Sequence, residues 1–384
     1  MDDQLPPQGS PPSFPPPPLT PPPIILPPVP PRRGGRIWRI IAIIALALLA
    51  LSVLSNFKNV GRSSRGRSTS HGIDHQLEEV MVERHVTEDK IAVIKVEGII
   101  SSADMERHGM NMVEFIKEQL KIADRDPDVK AVVLKVNSPG GEVLASDEIN
   151  GAISDFQKES GKPVVASMGS LAASGGYYVS VPCDWIVANE LTITGSIGVI
   201  MHGYNYRGLM NKIGIRPDVF KSGKFKDMLS GDKETDPEKI SPEQKKELAE
   251  ERAMVQDLIN ETFDRFKKVV EDGRADAKSK NSKARALTKN WRDYADGRVF
   301  SGKQALKLGF VDELGDFEVA VDRAKTLAKI SRANLIEYRQ PFDLGLLFRL
   351  LGKTEAPALK IELGGDAPKL QAGQLYFIMP TVLR

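Results

Sequence analysis

The chain has 384 residues, 27% of them charged, 41% hydrophobic, and a net charge of only +2. Such a chain can bury one large core or two small ones, and its charge balance carries no global bias toward nucleic acid. Cys183 is the only cysteine, which excludes an intrachain disulfide and a cysteine-built metal cluster; its place just before an apolar strand suits a small buried residue.

In chain order, the first element is a low-complexity leader with proline at 15 of its first 31 positions. Prolines lack backbone donors and cannot build a core, so a disordered or polyproline tail is expected over 1–35, serving as a tether or docking tail. Next, Ile40 to Leu54 is apolar except for Ser52. Fifteen helical residues span only about 22 Å of the roughly 30 Å hydrocarbon core. Ile37, Trp38 and Ser55 to Phe57 extend the segment, and Arg36 and Arg39 can snorkel, which predicts one transmembrane anchor over 36–57. Arg32, Arg33, Arg36 and Arg39 precede it and Lys58, Arg62, Arg65 and Arg67 follow it, so charge does not choose an orientation. A Ser, Gly and Arg-rich stalk is expected over 58–85.

From about Val86 the composition becomes that of an α/β domain. Strands are predicted at Ile91–Val96, Val129–Val136, Pro163–Ala166 and Trp185–Ala188, and helices at Met112–Ala123, Ser146–Glu159 and Ala172–Val181. Their alternation argues parallel βαβ units. A long amphipathic helix begins near Ser241 with Pro242 in its first turn.

Two glycine-rich turns follow predicted strands, where an open α/β sheet places its ligands. In Asn137-Ser138-Pro139-Gly140-Gly141 the unobstructed N–H groups of Gly140 and Gly141 suit an oxyanion. In Ala172-Ala173-Ser174-Gly175-Gly176 the small neighbours let a substrate backbone approach the Ser174 hydroxyl, and glycine permits a sharp nucleophile turn. A hydroxyl needs a base. His71, His75 and His85 fall in the stalk or its junction, leaving His108 and His202 as imidazole candidates. The other candidates are the lysines of Phe220-Lys221-Ser222-Gly223-Lys224-Phe225-Lys226. A solvated lysine is neutral in only about one molecule in a few thousand at pH 7, so such a base must be dehydrated. The residues alone do not choose between Lys224 and Lys226.

Five segments in order over roughly residues 88–330 carry a resemblance: Ser138-Pro139-Gly140-Gly141; Met168 to Tyr178; Thr194-Gly195-Ser196-Ile197-Gly198-Val199; Lys221 to Asp227; and Asp296-Gly297-Arg298 through Gly309-Phe310-Val311-Asp312. The chain resembles the SppA-type signal peptide peptidases in their short, single-catalytic-domain form. These are membrane-anchored serine proteases with a Ser-Lys dyad on a ClpP/crotonase-like α/β fold of repeated ββα units.

The resemblance implies Ser174 as nucleophile, Lys226 as general base 226 − 174 = 52 positions downstream, and Ser196 as the hydroxyl that orients the amine. It places Gly140 or Gly141, with Gly175, at the oxyanion. It further implies hydrophobic peptides such as released signal peptides as substrates, a homo-oligomer that completes its sites between protomers, and a single-pass membrane protein with an extracytoplasmic catalytic domain. No cofactor, metal or nucleic-acid partner is expected. The expected division is a catalytic domain over 86–338 and a C-terminal tail over 339–384, in which Phe342–Leu351 suits a membrane surface, a neighbouring subunit or a core helix. The alternatives are a Ser-His protease using His202, a crotonase-like acyl-thioester enzyme, and an inactive membrane scaffold.

Overall fold

The computed structural model describes residues 77–102, 110–340 and 375–379. The proline-rich leader, the expected anchor over 36–57, His71, His75, His108 and Phe342–Leu351 lie outside the described residues. Among the described residues no helix is long and apolar enough to cross a membrane.

In chain order the elements are β1 (Glu78–Glu83), β2 (Lys90–Glu97), α1 (Met112–Arg125), β3 (Val129–Ser138), β4 (Gly140–Glu142), α2 (Val143–Ser160), β5 (Val164–Ala173), α3 (Gly175–Ser180) and β6 (Trp185–Ala188). There follow β7 (Ile193–Gly195), β8 (Ile200–Met201), α4 (Arg207–Lys212), α5 (Pro242–Lys280), β9 (Val299–Ser301), α6 (Gly302–Leu308), β10 (Glu313–Leu314), α7 (Phe317–Ala328), β11 (Asn334–Arg339) and β12 (Leu375–Ile378). The main sheet runs β1-β11-β2-β3-β5-β6-β10, with β7 beside β5 and β9 beside β7. Its central pairs β11/β2, β2/β3, β3/β5 and β5/β6 are parallel.

These central strands are nearly continuous apolar runs because both faces are covered, as parallel strands require. Ala92, Ile94, Val132, Leu134, Val164 and Ala166 join one core with Ile116 and Leu120 of α1 and Ile149 and Ile153 of α2. The alternate residues Ile91, Ala131, Val133, Val165 and Val187 join the other, with Ala320, Val321 and Ala324 of α7. The two-residue period along each strand is what splits the runs between two cores. Capping boxes at Asn111/Glu114 and Ser241/Gln244 set the starts of α1 and α5, the second with Pro242 in its first turn.

One ion pair fastens α5 to the sheet. The side chains of Arg274 and Asp312 are paired and both fully buried. Arg274 Nε also donates to Gly309 O at 3.2 Å, and Asp312 accepts the Ile186 N–H at 2.9 Å and the Arg285 N–H at 2.8 Å. Asp312 thus ends the Gly309-Phe310-Val311-Asp312 motif as a scaffold residue. Cys183 is fully buried, and burial raises its thiol pKa, which matches the expected inert role.

Several expected boundaries move. The stretch 58–85 contains β1, which pairs antiparallel with β11, so part of the expected stalk is an edge strand. Its largely exposed Glu-Glu-Val-Met-Val-Glu sequence lacks an apolar face. The expected tail 339–384 contains β12, buried between β4 and β8 in a second, three-stranded sheet. The turn predicted at 137–141 holds the end of β3 and the first two residues of β4, and β5 runs on to Ala173, so the nucleophile bend narrows to Ser174. Pairing of Leu171 to Ala173 with β7 keeps that stretch extended despite its small residues.

Candidate active site

Ser174 stands between the last residue of β5 and the first of α3. Its backbone is at φ 55°, ψ −117°, a region that non-glycine residues occupy at a cost of order 1–3 kcal/mol. The surroundings hold it there: Ser174 N donates to Gly195 O at 2.8 Å, and Tyr178 N donates to Ser174 O at 2.8 Å. The side chain is 1% exposed, and its buried Oγ has no hydrogen-bond partner. A buried hydroxyl left unpaired on a strained strand-to-helix turn is an arrangement expected of a nucleophile waiting for its base.

Two glycines press against this turn. At Gly140, φ 98°, an added Cβ would lie 1.9 Å from Phe377 O and 2.6 Å from Gly175 N. At Gly175 it would lie 3.0 Å from both Gly140 Cα and Phe377 O. Gly140 and Gly175 must therefore lack side chains for β4, α3 and β12 to meet. The Gly140 N–H is held by Ser138 Oγ at 3.1 Å. Met379 N donates to Pro139 O at 3.0 Å, and Phe377 stands opposite Gly141. Antiparallel pairs alternate between bonded and unbonded, so Phe377 and Gly141 form the next bonded pair and the Gly141 N–H points at Phe377 O.

Ser196, 3% exposed, follows the Gly195 carbonyl that holds Ser174 and has a φ of 50°. Its N–H donates to Arg298 O at 2.8 Å, and Gly297 N donates to Ile197 O at 2.9 Å, so the Asp296-Gly297-Arg298 motif buttresses the Thr-Gly-Ser turn. The fold thus brings together Ser174, the turn bearing Ser196, Gly140, Gly141 and Gly175.

Lys226 is placed otherwise. It lies in a chain of tight turns, with Lys226 N bonded to Gly223 O at 3.1 Å and Met228 N to Phe225 O at 3.0 Å, and its side chain is exposed. Its neighbours bind this segment to α5. Lys221 reaches Asp227 at 2.9 Å and Glu247 at 3.3 Å, Lys224 reaches Glu250 at 2.6 Å, and Lys233 pairs with Asp227 and Glu251. Burial works against ionisation of Asp227, yet hydrogen bonds from Lys221 and Lys233 hold its carboxyl below the ordinary value. Among the described residues the Lys226 amine has no such partner, and it makes no hydrogen bond to Ser174. Asp227, Glu247 and Glu251 converge as ligands of a divalent cation would, but Lys221 and Lys233 already supply positive charge there.

His202 is exposed and stands edge-on against Tyr204 at 4.8 Å, and His85 is exposed at the domain edge. Neither is hydrogen-bonded to Ser174. The residue sequence reasoning missed is Phe377. Its neighbours Leu375 to Met379 form a short apolar run that reads as a strand, but the chain position alone does not bring it to Gly140.

The family model described as Peptidase family S49 matches residues 156–331. An Enterococcus faecium protein that carries the name signal peptide peptidase SppA is 36% identical over 269 residues, covering 69% of this chain and 71% of that protein. Protease 4 of Haemophilus influenzae is 35% identical over 275 residues, covering 70% of this chain but 40% of its own length. Among solved structures, a mutant of the 1510-N membrane-bound stomatin-specific protease with a substrate peptide shares 14% identity at a TM-score of 0.38, covering 69% of this chain and 99% of that one.

The chain belongs to peptidase family S49. It is a serine-type endopeptidase.

Proposed function

We propose that this peptidase is membrane-anchored and works with a Ser174–Lys226 dyad on released signal peptides or similar hydrophobic peptides. The observation that carries the nucleophile is the buried, strained and unpartnered hydroxyl of Ser174 between glycine backbones. In the reaction, neutral Lys226 takes the hydroxyl proton as Oγ attacks the peptide carbonyl. The N–H groups of Gly141 and Gly175 face the developing oxyanion, while Gly140 keeps the backbone close enough for them to do so. The lysinium then gives its proton to the departing amine, and water hydrolyses the ester to restore Ser174.

An exposed amine stays protonated, so Lys226 works as a base only after a contact removes its water. Homo-oligomerisation supplies that contact in this reading, with the 202–240 segment of one copy reaching the Ser174 centre of another and Ser196 receiving the amine. Two features support it: Lys226 is left free on its turn while Lys221, Lys224 and Lys233 are paired, and the segment carries large exposed apolar side chains among its charges. Phe220 is 91% exposed, and Tyr204, 75% exposed, lines a cavity of about 950 Å³ together with Met201, Tyr206, Leu229, Leu248 and Val255. Exposed apolar side chains grouped in this way mark interaction surfaces. The anchor over 36–57 sets the catalytic domain at the membrane, on its extracytoplasmic side.

The test is labelling with a fluorophosphonate together with peptide cleavage, in the wild type and in Ser174→Ala and Lys226→Ala chains. Loss of both in both variants, with folding kept, supports the dyad. An active, folded Lys226→Ala chain would reject it.

A further inference from the structure

A surface cleft of about 510 Å³ lies where the second half of α5 meets residues 286–291, and none of its lining residues belongs to the Ser174 centre. Its wall includes Arg274 and Lys278 of α5, together with Thr288, Lys289 and Trp291. Two polar atoms of these residues are buried without a hydrogen-bond partner, Nη1 of Arg274 and Oγ1 of Thr288. Buried polar atoms are almost always paired in native folds, so two orphans on residues that line one cleft call for an occupant.

The Arg274 orphan follows from the way Asp312 is used. An arginine and a carboxylate commonly pair through two parallel N–H···O bonds. Here Asp312 Oδ1 takes Nη2 of Arg274 and the Arg285 N–H, while Oδ2 is turned to the Ile186 N–H. Arg274 Nε goes to Gly309 O and Nη2 also reaches Arg285 O at 3.4 Å, so Nη1 keeps its donors free on a side chain with no exposed surface. Thr288 has committed its backbone, the N–H to Leu308 O and the carbonyl to the Trp291 N–H, each at 3.1 Å. Only its hydroxyl is left over.

Charge narrows the occupant. Glu271 is the one acidic residue in the wall, and Arg292 pairs with it at 2.5 Å. Asp312 balances Arg274. The Lys278 amine donates to two carbonyls, Ser282 O at 2.5 Å and Ala284 O at 2.9 Å, which leave its charge uncompensated. Lys289 is exposed at the rim. A water molecule would answer the orphan donors and leave both charges unmet, whereas an oxyanion answers both. Two spare positive charges suit a phosphate, which carries nearly two negative ones, better than a carboxylate.

From this arrangement we infer that the cleft is a phosphate-binding site. Arg274 Nη1 and Thr288 Oγ1 donate to the phosphate oxygens, and Lys278 and Lys289 supply the charge. Guanidinium donors fixed in a plane suit this ligand, and the Asp312 pairing holds Arg274 in place for it. The cleft exceeds a single phosphate in size, and Trp291 offers an apolar wall for the organic part of a phosphate ester. The site neither needs nor tests the Ser174–Lys226 dyad.

The experiment is isothermal titration calorimetry on the full chain in detergent, with inorganic phosphate in one arm and water-soluble dihexanoyl phosphatidic acid in the other. Saturable binding at one site per chain is expected. Affinity for the lipid higher by about tenfold or more assigns a lipid headgroup, and similar affinities assign free phosphate. Thr288→Val keeps the shape and removes the hydroxyl, and should weaken binding about tenfold, as loss of a hydrogen bond to a charged group does. Lys289→Glu reverses the rim charge and should weaken it at least as much. Lys158→Glu, which does not line the cleft, should change nothing.

The inference is overturned if neither probe saturates by about 10 mM, a limit just beyond millimolar affinity. It is equally overturned if binding survives Thr288→Val and Lys289→Glu unchanged, or if Lys158→Glu weakens it as much as Lys289→Glu does. Should Thr288→Val fold poorly, the exposed Lys289→Glu change still decides.

Discussion

The Ser174 centre and the Lys226 segment are built in opposite ways. Ser174, Ser196, Gly140 and Gly175 sit at or beside strand ends, the first two held by backbone hydrogen bonds to Gly195 O and Arg298 O and the two glycines in close backbone contact. Residues 202–240 have no buried residue, carry large exposed apolar side chains, and are held to α5 chiefly by ion pairs. A core of packed strands stores the strain of a nucleophile turn within one chain, because interior packing cannot relax around it. A surface segment has no such support, so the role proposed for Lys226 depends on what covers it.

Variants that test this contrast span a wide range of effects. Ser174→Ala and Lys226→Ala should each reduce peptide cleavage by a factor of about 10³ or more, given the loss seen when a nucleophile or its base is removed. Lys224→Ala, two positions away, should leave most activity in the same assay. Mixing the two inactive chains should restore part of the activity if the base crosses between copies. Mixed oligomers that stay dead while each variant still assembles would place both groups in one chain and erase the contrast.

On the packed side, Arg274→Ala leaves Asp312 buried without its partner, and chemical denaturation should show a loss of about 3–5 kcal/mol. Gly140→Ala meets Phe377 O in a left-handed backbone. It should cost about 1–3 kcal/mol in the same measurement and slow acylation of Ser174 as well. A Gly140→Ala chain of unchanged stability and rate would mean that β4 and β12 are looser than their contacts indicate.

The smallest effect is expected in the ion pairs of the Lys226 segment. Asp227 has a depressed carboxyl pKa in the folded chain, so its contribution is present above its ordinary value near 4 and is lost as pH falls through the depressed one. The protection of residues 223–233 against hydrogen exchange, corrected for the intrinsic pH dependence of amide exchange, should therefore stay constant from pH 8 down to about 4 and fall only below it. A loss of protection near pH 6 would point to a different titrating group.

Much of the sheet was legible because local rules agreed there. Apolar runs at 91–96, 129–136 and 185–188, the Pro242 helix start and the glycine turns each have one inexpensive solution. The Ser174 turn was visible too, since small residues crowd around a single hydroxyl. Lys226 against Lys224 was not legible from the residues, because neither spacing nor composition distinguishes two lysines on one exposed turn. It took the family pattern to prefer Lys226, and the ion pairing of Lys224 with Glu250 is consistent with that preference.

By itself the sequence determined the alternation of strands and helices, the long capped helix and the glycine-flanked hydroxyl, because these follow from periodicity and local backbone freedom. Only the tertiary structure decided that Gly195 holds Ser174, that Arg274 closes on Asp312, and that residues 375–378 lie along Gly140 and Gly141. Those contacts join positions 21, 38 and more than 230 residues apart (195 − 174, 312 − 274, 377 − 141). No local preference encodes such meetings; they arise when burial brings distant segments together and the backbone groups they carry must find partners.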